Sequence, residues 1–113
     1  MYIAMNRFKV SKGNEEAFET LWRSRESYLH ELPGFQEFSL LKGPEKEDHT
    51  LYSSHTVWNS FADFKNWTTS EQFRKAHSRA GGANKPLHMG HPEFEGFQAV
   101  LIQRGGETAP SAA

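Results

Sequence analysis

The sequence contains no cysteine in its 113 residues. That absence excludes disulfides, thiolate zinc sites, iron–sulfur clusters and cysteine nucleophiles. Redox chemistry in this chain would therefore need a cofactor.

Two further absences concern location and partners. No apolar run approaches the roughly 20 residues that span a bilayer, and the N-terminus MYIAMNRFKV lacks a basic segment followed by an apolar one. We therefore expect a cytoplasmic protein with no membrane partner. The formal net charge is −1, without a dense cluster of lysine or arginine, which argues against nucleic acid as a partner.

Large apolar residues are also scarce. Leu, Ile, Val and Phe together make up 22 of the 113 residues, whereas aromatic residues reach 13% and the charges nearly balance. The composition predicts one folded domain with a thin core for its length. We therefore hypothesise that a second subunit or a large apolar ligand completes that core.

The first strand and the first helix carry the clearest patterns. Alternation over residues 2–10 predicts a strand, with Ala4, Phe8 and Val10 on one face and Asn6 on the same face. A helix is predicted from an N-cap at Asn14 to the stop at Pro33-Gly34. Its apolar stripe, interrupted by one charge at Arg25, comprises Phe18, Leu21, Trp22, Leu29 and Leu32.

The rest of the chain predicts two more strands, a helical region and a final strand. Residues 35–42 and 51–58 form a hairpin around the polar loop 43–48. Asn59 or Ser60 caps a short helix bearing Phe61, Phe64 and Trp67, and Thr69-x-x-Gln72 has the form of a capping box that starts another helix through His77. An irregular loop over 80–93 precedes a strand at 94–104. The domain is predicted to cover 1–104, followed by a disordered tail at 105–113.

The resulting order, βαββαβ, predicts an α+β ferredoxin-like fold of the dimeric α/β-barrel type, with both helical regions on one face of an antiparallel sheet. The opposite face carries apolar residues such as Ile3 and Met5. Pairing two sheets in a homodimer would bury that face.

Single residues leave alternatives open. Asn6 interrupts an apolar row. Its side-chain amide is either unsatisfied there, which would cost about 1–3 kcal/mol, or hydrogen-bonded to a neighbouring backbone group. His77, four residues after Phe73 on one helix face, is either a structural histidine or an axial ligand for haem iron. Trp67 is either core packing or part of a site.

Other catalytic patterns are weak or missing. His88-x-x-His91 has a metal-like spacing without an evident third ligand, which predicts a solvated loop or a lid residue that touches a ligand. No glycine-rich phosphate loop, nucleophile elbow or recognisable carboxylate pair is present. Hydrolase and kinase functions therefore lose support.

Several short motifs resemble one known family over residues 1–104. They are Asn6-Arg7, the Lys12-Gly13 turn, Leu32-Pro33-Gly34-Phe35, Thr56-Val57-Trp58, and then Phe61, Trp67, Phe73 and Ala76-His77. Together they resemble the IsdG/IsdI-type haem-degrading monooxygenases, which have the antibiotic biosynthesis monooxygenase fold. The distinguishing asparagine, tryptophan and histidine of that family match Asn6, Trp67 and His77.

The resemblance implies a haem oxygenase in which haem is both cofactor and substrate. It assigns the axial iron ligand to His77, a hydrogen bond toward the distal face of the haem to Asn6, and distortion of the macrocycle to Trp67. Dioxygen and electrons from a reductase or a small reductant would be required, and the products would be iron and an opened tetrapyrrole.

Three residues are further candidates for the haem pocket. Arg25 would contact a propionate or the pocket rim, or else extend its aliphatic stem over the core with its charge in solvent. Trp22 and Phe73 would line the pocket wall, with ordinary core packing as the alternative. The predicted loop 80–93 is a candidate lid.

Two alternative functions remain open. The first is a cofactor-free monooxygenase of the same fold acting on quinol-like aromatics, which needs no iron ligand. The second is a haem-binding or storage protein without turnover.

Overall fold

The computed structural model describes residues 1–25, 28–80 and 87–106, with side chains of residues 76–80 outside that description. The elements are β1 (Tyr2–Ser11), α1 (Glu15–Ser24), a 3-10 turn (Leu29–Glu31), β2 (Phe35–Glu45), β3 (His49–Trp58), α2 (Phe61–Thr68), α3 (Glu71–Ala80) and β4 (His88–Gln98). The strands form one antiparallel sheet in the order β2-β3-β1-β4. The predicted ferredoxin-like fold is confirmed, with the helices packed on one face of the sheet.

The central strand β1 determines which residues face the helices. Ala4, Phe8 and Val10 are buried on its inner face, as the alternation predicts. Phe8 packs against Phe18 of α1, with ring centroids 5.3 Å apart. The core is therefore built mainly of aromatic rings, which compensates for the scarcity of aliphatic residues.

The prediction of one helix from Asn14 to Pro33 is wrong at its C-terminal half. Helix α1 ends at Ser24, Arg25 is extended, and Tyr28 adopts a left-handed conformation with φ of 60°. Leu29 reaches the core from the separate 3-10 turn. Leu29 is buried by this turn and not by α1. The helical spacing between Leu21 and Leu29 therefore led to a wrong prediction of one continuous helix.

The helix caps differ from the predictions in two places. Asn14 occupies the N-cap position of α1 without a capping side-chain hydrogen bond. Ser60 caps α2 as expected, since its Oγ accepts a bond from the Asp63 amide at 3.2 Å. The Ser70 hydroxyl, and not that of Thr69, accepts from the Phe73 amide at 3.1 Å and caps α3.

Both edge strands are longer toward the loops than predicted. β2 continues through Gly43 and Pro44 to Glu45, which leaves a turn of residues 46–48 in place of the loop 43–48. β4 begins at His88 and ends at Gln98, which corrects the predicted loop 80–93 and strand 94–104. Edge strands tolerate proline because one side of their backbone needs no ladder donor. Of the predicted tail, residues 107–113 lie outside the described residues.

Two hydrogen bonds join the N-terminal half of α1 to β3. The Thr50 hydroxyl donates to Glu15 Oε2 at 2.8 Å, and the Tyr52 phenol donates to Glu19 Oε2 at 2.5 Å. We call these two bonds the α1 clamp. Tyr52 is 1% exposed, and burial, together with its bond to Glu19, raises the pKa of its phenol. The same phenol lowers the pKa of Glu19, and the pKa of Glu15 is lowered by its own backbone amide and by Thr50.

The outer face of the sheet is partly apolar. Ile3 pairs with Phe97 of β4, and both side chains point away from the helices. Phe97 is 47% exposed, and Met89 and Leu41 are each 41% exposed. No helix in the described part of the chain is long and apolar enough to cross a membrane.

The α1 clamp predicts an acid-sensitive fold. Both carboxylates have folded pKa values below their unfolded ones, so their stabilisation is complete above the unfolded pKa and is lost as pH falls from about 5 through the folded values. Tyr52→Phe should lower the melting temperature at pH 7 by about 5 °C and flatten its decline toward pH 3. Glu16→Gln, at an exposed position of the same helix, is the control. A Tyr52→Phe melting profile parallel to that of wild type would show that the clamp does not cause the acid sensitivity.

Candidate functional site

A cavity of about 580 Å³ lies between the helices and the inner face of the sheet. Its wall contains eight aromatic side chains, namely Phe8, Phe18, Trp22, Phe38, Phe64, Trp67, Phe73 and Phe94. Flat apolar rings of this number favour a large, planar and mainly apolar ligand. The cavity therefore occupies the space that the thin aliphatic core leaves.

Asn6 is a polar group in the cavity wall contributed by the centre of the sheet. Its backbone pairs with Ser54 of β3 and Phe94 of β4, and its side chain points to the helix side, between Ala4 and Phe8. Among the described residues, none forms a hydrogen bond with its side-chain amide. The alternative of a neighbouring backbone partner therefore finds no support, and the amide is available to a ligand.

Trp67 enters the cavity from the last turn of α2. Its ring stacks on Trp58 with centroids 5.5 Å apart and meets Phe73 edge to face at 4.8 Å. Because Trp58 is fully buried behind it, Trp67 is supported from below while it lines the cavity. The Trp67 ring is therefore both part of the core packing and a rigid part of the cavity wall.

Trp22 and Arg25 form the wall on the side of α1. The Trp22 ring stacks on Phe38 at 5.7 Å, and the Arg25 guanidinium carbon lies 4.5 Å from the Trp22 centroid. Arg25 Nε is buried without a hydrogen-bond partner in the described structure, and burial lowers the pKa of the guanidinium. An arginine remains charged even so, because its ordinary pKa lies far above neutral pH. The cavity wall thus holds a positively charged group whose Nε has no hydrogen-bond partner among the described residues.

Helix α3 contributes Phe73 directly and carries His77 four residues later. The side chain of His77 lies outside the described residues. Five of the six predicted site residues thus line one cavity, namely Asn6, Trp22, Arg25, Trp67 and Phe73.

Sequence reasoning missed the role of β4 in the cavity. His88, Pro92 and Phe94 line it, although 80–93 was predicted to be an irregular loop. His91 is exposed, and the described residues supply no cluster of three metal-ligating side chains. The signal that could have placed His88 in the cavity is its pairing with Val10 of β1. That pairing is known only once the strands have been aligned.

A second cavity of about 300 Å³ shares Trp22 and Phe38 with the first. Its charged groups satisfy one another, since Glu19 accepts from Tyr52 and forms an ion pair with Arg23 at 3.2 Å. By contrast, no carboxylate side chain is among the described residues lining the larger cavity. The larger cavity is therefore the one suited to an anionic ligand.

A family model, antibiotic biosynthesis monooxygenase, matches residues 1–79. The chain belongs to this monooxygenase family. The family assignment agrees with the resemblance carried by Asn6, Trp67 and His77.

Relatives of this monooxygenase include the heme-degrading monooxygenases of Bacillus thuringiensis (strain Al Hakam) and Bacillus anthracis (strain A0248). Each is 32% identical over 82 residues, which cover 73% of this chain and 76% of the relative.

Similar solved structures include haem-bound proteins and a cofactor-independent oxygenase. MhuD from Mycobacterium tuberculosis, with two hemes bound in its active site, has a TM-score of 0.70 and 25% identity, covering 92% of this chain and 100% of that chain. A MhuD variant with two manganese protoporphyrin IX molecules per active site has a TM-score of 0.74 and 27% identity, covering 93% and 100%. SnoaB, a cofactor-independent oxygenase from Streptomyces nogalater, shares the fold with a TM-score of 0.61 and 24% identity, covering 94% and 97%.

Proposed function

We propose that this monooxygenase degrades haem. The observation that carries the proposal is the chemistry of the larger cavity, which combines flat aromatic walls, the Asn6 amide, and a cation at Arg25 whose Nε has no hydrogen-bond partner among the described residues. Haem is planar, largely apolar and doubly carboxylated, so each of these features has a partner on it. The relatives named as heme-degrading monooxygenases support the same substrate.

The residues present fit haem as cofactor and substrate. When bound, haem would supply an iron centre that activates dioxygen and a macrocycle that is oxidised and opened. His77 is the proposed axial ligand, because helical periodicity predicts that it shares a face with cavity-lining Phe73. Arg25 is proposed to bind a propionate, since its guanidinium lacks a carboxylate partner among the described residues.

Asn6 and Trp67 are proposed to act on the reacting part of haem. The Asn6 amide can donate a hydrogen bond to negative charge that develops beside it, and it adds no net charge to an apolar cavity. Trp67, held in place by Trp58 and Phe73, is a rigid surface against which a macrocycle would be distorted. Trp22 and Phe73 complete the wall. Electrons are proposed to come from a reductase or a small reductant.

The proposed assembly is a homodimer joined through the outer face of the sheet. Exposed Phe97, Met89 and Leu41 on that face lose unfavourable contact with water when two sheets pack together. The larger cavity of each protomer would then lie on the side of its sheet that faces away from the other protomer.

The first test of the proposal concerns iron ligation. Haemin added to the purified chain should give a histidine-type Soret band, and His77→Ala should abolish that band because the axial imidazole is lost. His91→Ala, at an exposed position of β4, should leave the spectrum unchanged. A wild-type protein that binds no haemin would favour the cofactor-free monooxygenase.

The second test separates binding from turnover. Asn6→Ala should keep haemin affinity within about threefold but slow aerobic haem degradation roughly a hundredfold, because a positioned hydrogen-bond donor is lost. Degradation is followed as loss of the Soret band with dioxygen and reductant, and the product is identified by mass spectrometry. Asn66→Ala, at an exposed position of α2, is the control. Degradation by Asn6→Ala at the wild-type rate would refute the role of the amide, and a wild-type Soret band that survives would indicate a storage protein.

The third test concerns assembly. Phe97→Glu should convert the dimer to a monomer in sedimentation velocity, because two carboxylates would be buried across the paired sheets. Val100→Glu, beyond the end of β4 and 82% exposed, should leave the dimer intact. A dimer that tolerates Phe97→Glu would place the interface elsewhere.

A further inference from the structure

His88 is the ionisable side chain of the larger cavity to which neither the family resemblance nor the proposed function gives a role. It opens β4, pairs with Val10 and lies on the inner face of the sheet. Its ring meets Phe8 edge to face at 5.1 Å and Phe18 at 6.5 Å. These contacts hold the imidazole in the cavity wall.

One hydrogen bond determines which ring nitrogen of His88 is available to a ligand. Nδ1 lies 3.0 Å from the carbonyl oxygen of Gly90. A carbonyl can only accept, so Nδ1 carries the proton of that bond. Nε2 is therefore the ring nitrogen left for a cavity ligand, and it becomes a donor when the ring is an imidazolium.

The register of the sheet separates His88 from Asn6. Asn6 pairs with Phe94, and Val10, four residues further along β1, pairs with His88. At roughly 3.3 Å per residue, the two positions are about 13 Å apart along the strand. A ligand whose reacting centre lies beside Asn6 would therefore present its periphery, and not that centre, to His88.

The charge distribution indicates what that periphery carries. Arg25 and His88 are the cationic or cation-forming groups among the described lining residues, and no carboxylate accompanies them. Arg25 lies over Trp22, His88 lies against Phe8, and these two rings are 5.7 Å apart. Two groups that favour anions thus border one aromatic pair, so the wall there matches a ligand with two carboxylates.

We propose that His88 binds the second of two ligand carboxylates, while Arg25 binds the first. The inference rests on the proposed function, in which the ligand is haem and the carboxylates are its propionates. It adds that the orientation of the macrocycle is fixed by two charged contacts on different elements, one following α1 and one at the start of β4. His88 is a binding residue in this proposal and not an iron ligand.

The test compares a free diacid with its ester in the absence of iron. Metal-free protoporphyrin IX and its dimethyl ester are titrated at pH 6 into the 113-residue chain, with quenching of tryptophan fluorescence as the readout, since Trp22 and Trp67 line the cavity. His88→Phe keeps an aromatic ring against Phe8 and removes the donor. It should raise the Kd for the diacid about tenfold and leave the Kd for the ester unchanged. His91→Phe should change neither.

The other outcomes are equally informative. An equal loss of affinity for acid and ester in His88→Phe would show that the imidazole only packs, and no loss for either would show that it does not contact the ligand, so each result overturns the proposal. Loss of the histidine-type Soret band in His88→Phe would make His88 an iron ligand and would also overturn the proposal. In all three cases a His77-dependent Soret band in the wild type leaves the proposed function standing, whereas a wild type that binds no porphyrin refutes both.

Discussion

The α1 clamp is the interaction on which the cavity depends. Thr50 and Tyr52 hold Glu15 and Glu19, one helical turn apart, against β3, and Phe18 is buried between them at 1% exposure. This half of α1 therefore packs directly on the sheet. Trp22 and Arg25, near and beyond the end of the helix, border the cavity instead. The helix is thus fixed to the sheet at one end and separated from it by a ligand-sized space toward the other.

The polar content of that space distinguishes functions that the fold alone does not. Haem-degrading and cofactor-independent oxygenases both appear among the structural neighbours, so the shared architecture is compatible with either chemistry. The candidate ligands differ in the number of charged groups for which the cavity wall must supply partners. Among the described residues, the wall buries Arg25 Nε without a hydrogen-bond partner and contains no carboxylate, which imposes a desolvation cost on the empty protein that a dianionic ligand would relieve.

Much of the fold and most of the site could be predicted from sequence, for identifiable reasons. Alternation on β1 correctly placed Asn6 on the inner face because the helices cover that face of the sheet. The spacing of Phe64 and Trp67 on α2 correctly indicated one apolar side. The errors have two physical causes. An apolar stripe does not report where helical hydrogen bonds stop, so the break at Arg25 was invisible. Edge strands accept Pro44, Gly90 and Pro92, so these residues were wrongly assigned to loops, and His88 was predicted in a solvated loop or a lid and not in a strand of the cavity wall.

The stacked pair of Trp22 and Phe38 belongs to the walls of both cavities, one of about 580 Å³ and one of about 300 Å³. A single side chain from α1 and another from β2 therefore form the partition between them. Replacing either ring by a small residue would join the two spaces without moving any backbone element. Ligand size in this fold can thus change through one position, while the sheet, the helices and Asn6 stay as they are.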